Sequence, residues 1–336
     1  MFWSFVNTSH NPKFNNNHYF SNTNHFDKDK VFENFHAIKE YALENNLDFD
    51  VKINTNIKVA VVSQSYFRKN GTSRKNILNV FKMLENQKYQ NFKLFMTGDN
   101  YNPTEWDNKE LKKELKKELK KELKEDELKK EFNEICKLYT GDIFYENNPY
   151  SCRELKMVNF RNYWTTGGIL ACKKGYEKAK EEGFDIVLML DDDDIWLEDH
   201  IQNVIWGFTN YPDAAFIVTR AKYGYKKQLP TTRISEVYYN NYIVRGCDSV
   251  RSASAHNLKY LFEDQMSVIE QTEIKLKAIH KNNTDKEGSD RSHIEPCDAT
   301  LLKIIGNNVD NGKYKMIYLP WVTVVKETVI ANNPMR

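Results

Sequence analysis

The chain has 336 residues, 40% hydrophobic and 13% aromatic, enough apolar material for a sizeable core and too much for a disordered chain. Lys and Arg number 49 against 47 Asp and Glu, so a formal net charge of +2 gives no electrostatic basis for a nucleic-acid partner. Cys136, Cys152, Cys172, Cys247 and Cys297 are scattered without a CxxC or a Cys/His cluster, which argues against a disulfide framework or a zinc site and for a reducing compartment.

Residues 1–29 are rich in Asn, His, Ser and Asp and have no period, as in a loosely ordered arm. The apolar start Met1-Phe2-Trp3 breaks at Ser4, short of a signal-peptide core. No later run approaches the roughly 18–20 apolar residues of a membrane span. A soluble, cytoplasmic protein without a membrane span is the expectation. Val31, Phe32, Phe35, Ile38, Tyr41 and Ala42 recur at helical spacing, so 1–56 reads as a polar arm with one short helix.

The main domain is expected over 57–330, with a tail at 331–336. Ile57-Lys58-Val59-Ala60-Val61-Val62 is the almost continuous apolar run of a strand buried on both faces. A helix with Ile77, Leu78, Phe81 and Leu84 on one stripe follows, then a second strand over 92–97 that ends at Gly98-Asp99-Asn100. Lys-Glu-Leu-Lys repeats with Leu111, Leu115, Leu119, Leu123 and Leu128 predict a solvated helical insertion within 107–132, about 35 Å long at 1.5 Å per residue. A helix around 166–182 leads through Gly183 into the strand Ile186-Val187-Leu188-Met189-Leu190. Strand and helix alternate as in an α/β fold, which places ligands at the carboxyl ends of the strands.

That last strand runs into Asp191-Asp192-Asp193-Asp194-Ile195-Trp196. Four adjacent carboxylates repel one another and cannot all be desolvated without a counter-charge. A hard divalent cation, Mg²⁺ or Mn²⁺, removes the conflict and shares its oxygen ligands with phosphates. An acidic turn that caps the next helix is the plainer alternative.

Leu190 through His200 resembles the DxD segment of GT-A glycosyltransferases of the family 2 type. Ser63-Gln64-Ser65-Tyr66-Phe67-Arg68 resembles the family's first-strand loop, Thr97-Gly98-Asp99 its second strand end, and Gly167-Gly168, Ala171, Gly175 and Ala179 its small-residue helix before the DxD strand. The resemblance implies a GT-A fold, α/β and Rossmann-like, with a mixed, mostly parallel sheet. It implies that Ser65, Tyr66 and Asp99 hold the nucleoside, that Asp191 and Asp192 lie on the nucleotide-sugar, and that Asp193 binds the metal at the diphosphate. Arg153 and Lys173 are candidates for further positive charge there, and Lys326, after the late strand 317–325, for a phosphate contact. The chain departs from the family at Cys172-Lys173, where Arg-Asn is frequent, and at Cys297, where Glu is common.

An inverting transfer needs a base for the acceptor hydroxyl. Asp298-Ala299-Thr300-Leu301 resembles the family's helix-start Asp, which makes Asp298 the candidate; a simple helix cap is the alternative. Arg245 through Ser252, after Tyr238, Tyr239 and Tyr242, reads as a possible acceptor-side stretch or as ordinary sheet, and His200 and His256 as packing or surface residues. The resulting expectation is metal-dependent, inverting transfer from a nucleotide-sugar, with a UDP-sugar favoured, to a glycan, protein or small-molecule hydroxyl. Two rivals stay open. A sugar nucleotidyltransferase would carry a Gly-rich basic loop, which 63–68 is not. An inactive GT-A scaffold would accommodate the departures at Cys172, Lys173 and Cys297.

Overall fold

The computed structural model describes residues 40, 44, 53–68, 71–101, 125–149, 151, 167–225, 233–234, 251–283, 294 and 297–328. Most of the expected arm and short helix, most of the insertion and all of the tail lie outside them. Strand β1 (Val59–Ser65), helix α1 (Ser73–Glu85), strand β2 (Phe92–Asp99), helix α2 (Glu125–Cys136) and strand β3 (Ile143–Asn148) come first. Helix α3 (Ile169–Glu181), strands β4 (Ile186–Asp191) and β5 (Asp194–Trp196), helix α4 (His200–Asn210) and strands β6 (Ala214–Tyr225) and β7 (Arg233–Ile234) follow. A single 3₁₀ turn (Arg251–Ala253) then leads to strand β8 (Ser254–Asn257), helix α5 (Leu258–Asn283), helix α6 (Cys297–Asp310) and strand β9 (Lys315–Thr328).

One sheet runs β3-β2-β1-β4-β8-β6-β9-β5, with β7 on β6. β3, β2, β1 and β4 are parallel to one another, as is the long β6–β9 pair, while β8, β5 and β7 pair antiparallel over two or three residues. This is the mixed, mostly parallel α/β architecture that the resemblance implies.

The apolar runs divide between two layers because side chains alternate along a strand. Val59 and Val61 of β1, Leu94 and Met96 of β2, and Leu188 and Leu190 of β4 join the cluster under α1 and α4. Ala60, Val62, Phe95, Val187 and Met189 face the cluster under α3 and α5. Each fully buried aliphatic side chain contributes about 1.5–3 kcal/mol, so the sheet centre anchors everything at its carboxyl edge. Helix α3 approaches closely because its buried face is small: a Cβ on Gly175 would stand 2.8 Å from Val62 Cγ1.

Helix α2 continues to Cys136, and Phe132, Ile135 and Cys136 are fully buried in the main core. The end of that helix therefore packs into the domain. No helix among the described residues is long and apolar enough to cross a membrane.

Candidate active site at the carboxyl edge of the sheet

The parallel strands end side by side. Register sets Gln64 beside Asp191, Ser65 beside Gly98, and Asp99 beside Asn148, so residues far apart in sequence share one edge. Asp99 is buried, and its Oδ2 accepts the Gly168 amide at 2.9 Å. Gly168 precedes α3 with φ of 76°, a left-handed conformation that favours glycine, and a Cβ there would meet Gln64 Cγ at 2.8 Å. The start of α3 thus fixes the β2 carboxylate.

The four aspartates meet four different environments. Asp191 Oδ1 accepts from Gln64 Nε2 at 3.0 Å and from Arg251 Nη1 at 3.1 Å, and Arg251 Nη2 donates to Gln64 Oε1 at 3.0 Å. Asp192 is buried; Arg68 grips both of its oxygens, Nη1 to Oδ2 at 2.7 Å, and the Ser65 hydroxyl donates to Oδ2 at 2.6 Å. Asp194 is buried and accepts from the Ser252 hydroxyl at 2.6 Å; the Asp191 amide donates to that same hydroxyl at 2.9 Å. Asp193 alone turns outward, its side chain 47% exposed, with Arg68 Nη2 4.0 Å from Oδ2.

The protein therefore supplies part of the counter-charge itself, as two arginines that sequence reasoning did not assign. Among the described residues, no group of three or more His, Cys, Asp or Glu side chains forms a metal cage. What the site offers a cation is one outward carboxylate on a turn whose neighbours are already engaged. That donor set fits Mg²⁺ or Mn²⁺ held by a single protein oxygen, with phosphate and water completing the shell.

Asp298 opens α6 and accepts the Ala299 amide at 2.9 Å. The residue keeps an exposed face, yet protein packed around its carboxyl pushes its pKa above the ordinary carboxylate value. The Ala299 amide and the Arg251 charge pull it back, and Asp191 adds to the rise. A solvent-reachable carboxyl with a raised pKa has the chemistry that a proton acceptor uses.

The remaining expected residues are placed as follows. Tyr66 is half-buried with the Arg68 guanidinium 4.2 Å from its ring centroid. Lys173 directs its ammonium to Glu270 on α5 at 3.2 Å and stands 3.9 Å from Glu177. Lys326 lies opposite Asp194 in the β5–β9 register. Arg153 lies outside the described residues. Cys172 and Cys297 are buried thiols, both pushed up by burial, Cys297 to about 11, which makes them poor nucleophiles. His200 and His256 are buried packing residues; His200 Nδ1 lies 2.7 Å from Thr323 Oγ1, and His256 Nδ1 lies 2.5 Å from the Tyr176 hydroxyl.

Missed by sequence reasoning were Gln64, Arg68, Arg251 and Ser252 as site components. Arg68 stood within the quoted first-strand loop, and its place in a loop that the resemblance puts at the nucleotide was the available signal. Arg251 and Ser252 lay in the stretch read as acceptor-side or ordinary sheet, and nothing local tied them to the aspartates, because those partners lie about 60 residues away.

Fold and site together define an α/β protein with aspartates gathered at the carboxyl edge of a largely parallel sheet. No protein-family model matches the chain. It is similar to a protein of Acanthamoeba polyphaga mimivirus named uncharacterized glycosyltransferase R139, 25% identical over 274 residues that cover 80% of this chain and 92% of that one. Solved structures with partial likeness include S. aureus TarS 1-349 in complex with UDP, at 11% identity and a TM-score of 0.42, covering 81% of this chain and 61% of that one. S. aureus TarS 1-349 in complex with UDP-GlcNAc matches at 10% identity and a TM-score of 0.41, with 82% and 60% covered. The chain thus spans about three fifths of the length of these structures.

Proposed function

We propose that the protein is a nucleotide-sugar-dependent glycosyltransferase that uses a UDP-sugar and inverts the anomeric centre. The observation that carries this reading is the gathering of Asp99, Asp191 and Asp193 at one sheet edge, with Arg251 bonded to Asp191 and its charge also felt by the helix-start carboxylate Asp298. The similarity to a protein named as a glycosyltransferase, and to TarS structures holding UDP and UDP-GlcNAc, supports the same class and donor.

In this reading Asp99 and Tyr66 receive the nucleoside and Asp191 the ribose side. Ser65 and Asp192 act beneath them as the support of the turn, bonded to one another, with Asp192 also held by Arg68. Asp193 would hold Mn²⁺ or Mg²⁺, which when bound supplies positive charge to the departing diphosphate. Asp298 takes the proton of the acceptor hydroxyl as its oxygen bonds to the sugar's anomeric carbon. The bond from that carbon to the phosphate oxygen breaks, and its electron pair leaves with the nucleoside diphosphate.

Thermal unfolding with a panel of nucleotides, each with Mn²⁺ and with EDTA, tests the reading. A ligand at 100 times its Kd adds about 2.7 kcal/mol. A Mn²⁺-dependent shift with UDP, followed by release of UDP from a UDP-sugar, is expected. No shift with any nucleotide would overturn it.

A further inference from the structure

The 3₁₀ turn Arg251–Ala253 enters the site between β4 and β8 and is stitched to the acidic segment at several points. The Ser252 hydroxyl bonds Asp194 and the Asp191 amide, and the Trp196 indole donates to the Ser252 carbonyl at 2.6 Å. Arg251 is the turn's charged member, with only 20% of its side chain exposed. Its two terminal nitrogens divide between Asp191 Oδ1 and Gln64 Oε1. Asp298 lies within the reach of the same charge, and Asp191 and Asp298 repel each other.

We infer that Arg251 is a positioning residue that couples the two halves of the reaction: its fork aims Asp191 at the nucleotide, and its charge faces the base Asp298. This rests on the proposed transferase reading. The geometry separates the two tasks. Aiming Asp191 needs two donors at fixed angles, one for the carboxylate and one for the Gln64 amide, and only a planar guanidinium provides them. Countering the repulsion between Asp191 and Asp298 needs only a positive charge at that point. A lysine preserves the second task and loses the first; a glutamine loses both.

The test compares wild type with Arg251→Lys and Arg251→Gln in donor kinetics, in calorimetric binding of UDP with Mn²⁺, and in thermal midpoint. Arg251→Lys is expected to raise the donor KM and the UDP Kd about tenfold while kcat stays within about threefold. Arg251→Gln is expected to raise KM similarly and to lower kcat about a hundredfold. A merely structural arginine would instead give kcat losses in both variants that track their thermal midpoints, and that outcome overturns the proposal. So does an Arg251→Lys protein with unchanged KM and Kd. If Arg251→Gln does not fold, the KM-against-kcat split in Arg251→Lys decides alone. Failure of the underlying reading is distinguishable, because then wild type itself binds no UDP, and the role of Arg251 falls with it.

Discussion

Arg68 and Asp192 form a two-pronged ion pair across 124 residues of sequence, with Nη1 2.7 Å from Oδ2 and side chains only 12% and 4% exposed. The pair fastens the loop after β1 to the turn after β4, the two segments that flank the proposed nucleotide side. Removing Arg68 leaves the buried Asp192 charge with the Ser65 hydroxyl to hold it. Arg68→Ala should therefore cost about 3–5 kcal/mol in urea unfolding. Adding Asp192→Ala should recover part of that loss, and strict additivity in the double-mutant cycle would contradict the coupling.

Asp193 is the outward carboxylate, and its replacement should act on ligand rather than on fold. Asp193→Asn should leave folding stability within about 0.5 kcal/mol, as for an exposed surface change. The Mn²⁺-dependent thermal shift with UDP should disappear. A full shift in this variant would remove Asp193 from the metal role.

Asp298 should behave in the opposite way. Asp298→Asn should keep UDP binding and lower transfer by about 10²–10⁴-fold. The sign of its effect on stability follows from its raised pKa. A carboxyl whose folded pKa lies above its unfolded value prefers the neutral form in the fold, so it favours folding at low pH and that contribution is lost as pH rises through the folded value. At neutral pH the ionised group opposes folding, and Asp298→Asn should raise the thermal midpoint as it abolishes transfer. In the wild type the same shift should move the acid limb of kcat/KM upward from the ordinary aspartate value.

Gly168 offers a test of backbone geometry. Gly168→Ala imposes a left-handed φ of 76° on a residue with a Cβ, and that Cβ would stand 2.8 Å from Gln64 Cγ. A loss of about 1–3 kcal/mol is expected. UDP binding should weaken as well, since Gln64 holds Asp191 and the Gly168 amide holds Asp99. Unchanged stability and binding would show that α3 does not aim these carboxylates.

His200 and His256 set the acid limit of the fold. Burial holds both near a pKa of about 3, helped at His256 by the Arg251 charge. The unfolded chain takes up these protons near 6.5, so stability is complete above that value and falls as pH drops toward 3. The slope is about 1.4 kcal/mol per pH unit for each histidine. Urea unfolding at pH 7, 6 and 5 measures it, and His256→Gln should remove about one proton from the slope.

The elements that form the sheet centre were legible because their signal is local. The apolar run after Ile57 became β1, the run ending at Gly98-Asp99 became β2, and the run before the aspartates became β4, each displaced by only a few residues. Helix α3 was visible in its small residues, whose spacing suits close packing on Val62. Strand β3 was not read from Ile143-Phe144-Tyr145-Glu146-Asn147-Asn148, since every residue of it is half-buried at the sheet edge and no clear alternation survives. Strand β8 is four residues long and exists as a strand through its antiparallel pairing with β4 and β6.

By itself the sequence determined which carboxylates stand at strand ends and helix starts, because strand periodicity and punctuation are properties of neighbouring residues. It also determined that four consecutive aspartates demand a counter-charge, because repulsion between adjacent carboxylates needs no tertiary contact. Only the tertiary structure decided who answers that demand. Arg68 reaches Asp192 over 124 residues, Arg251 reaches Asp191 over 60 and Gln64 over 187, and Ser252 ties Asp194 over 58. Such partners are selected by the register of parallel strands and by the packing of the connecting elements, and no local pattern in the chain encodes either.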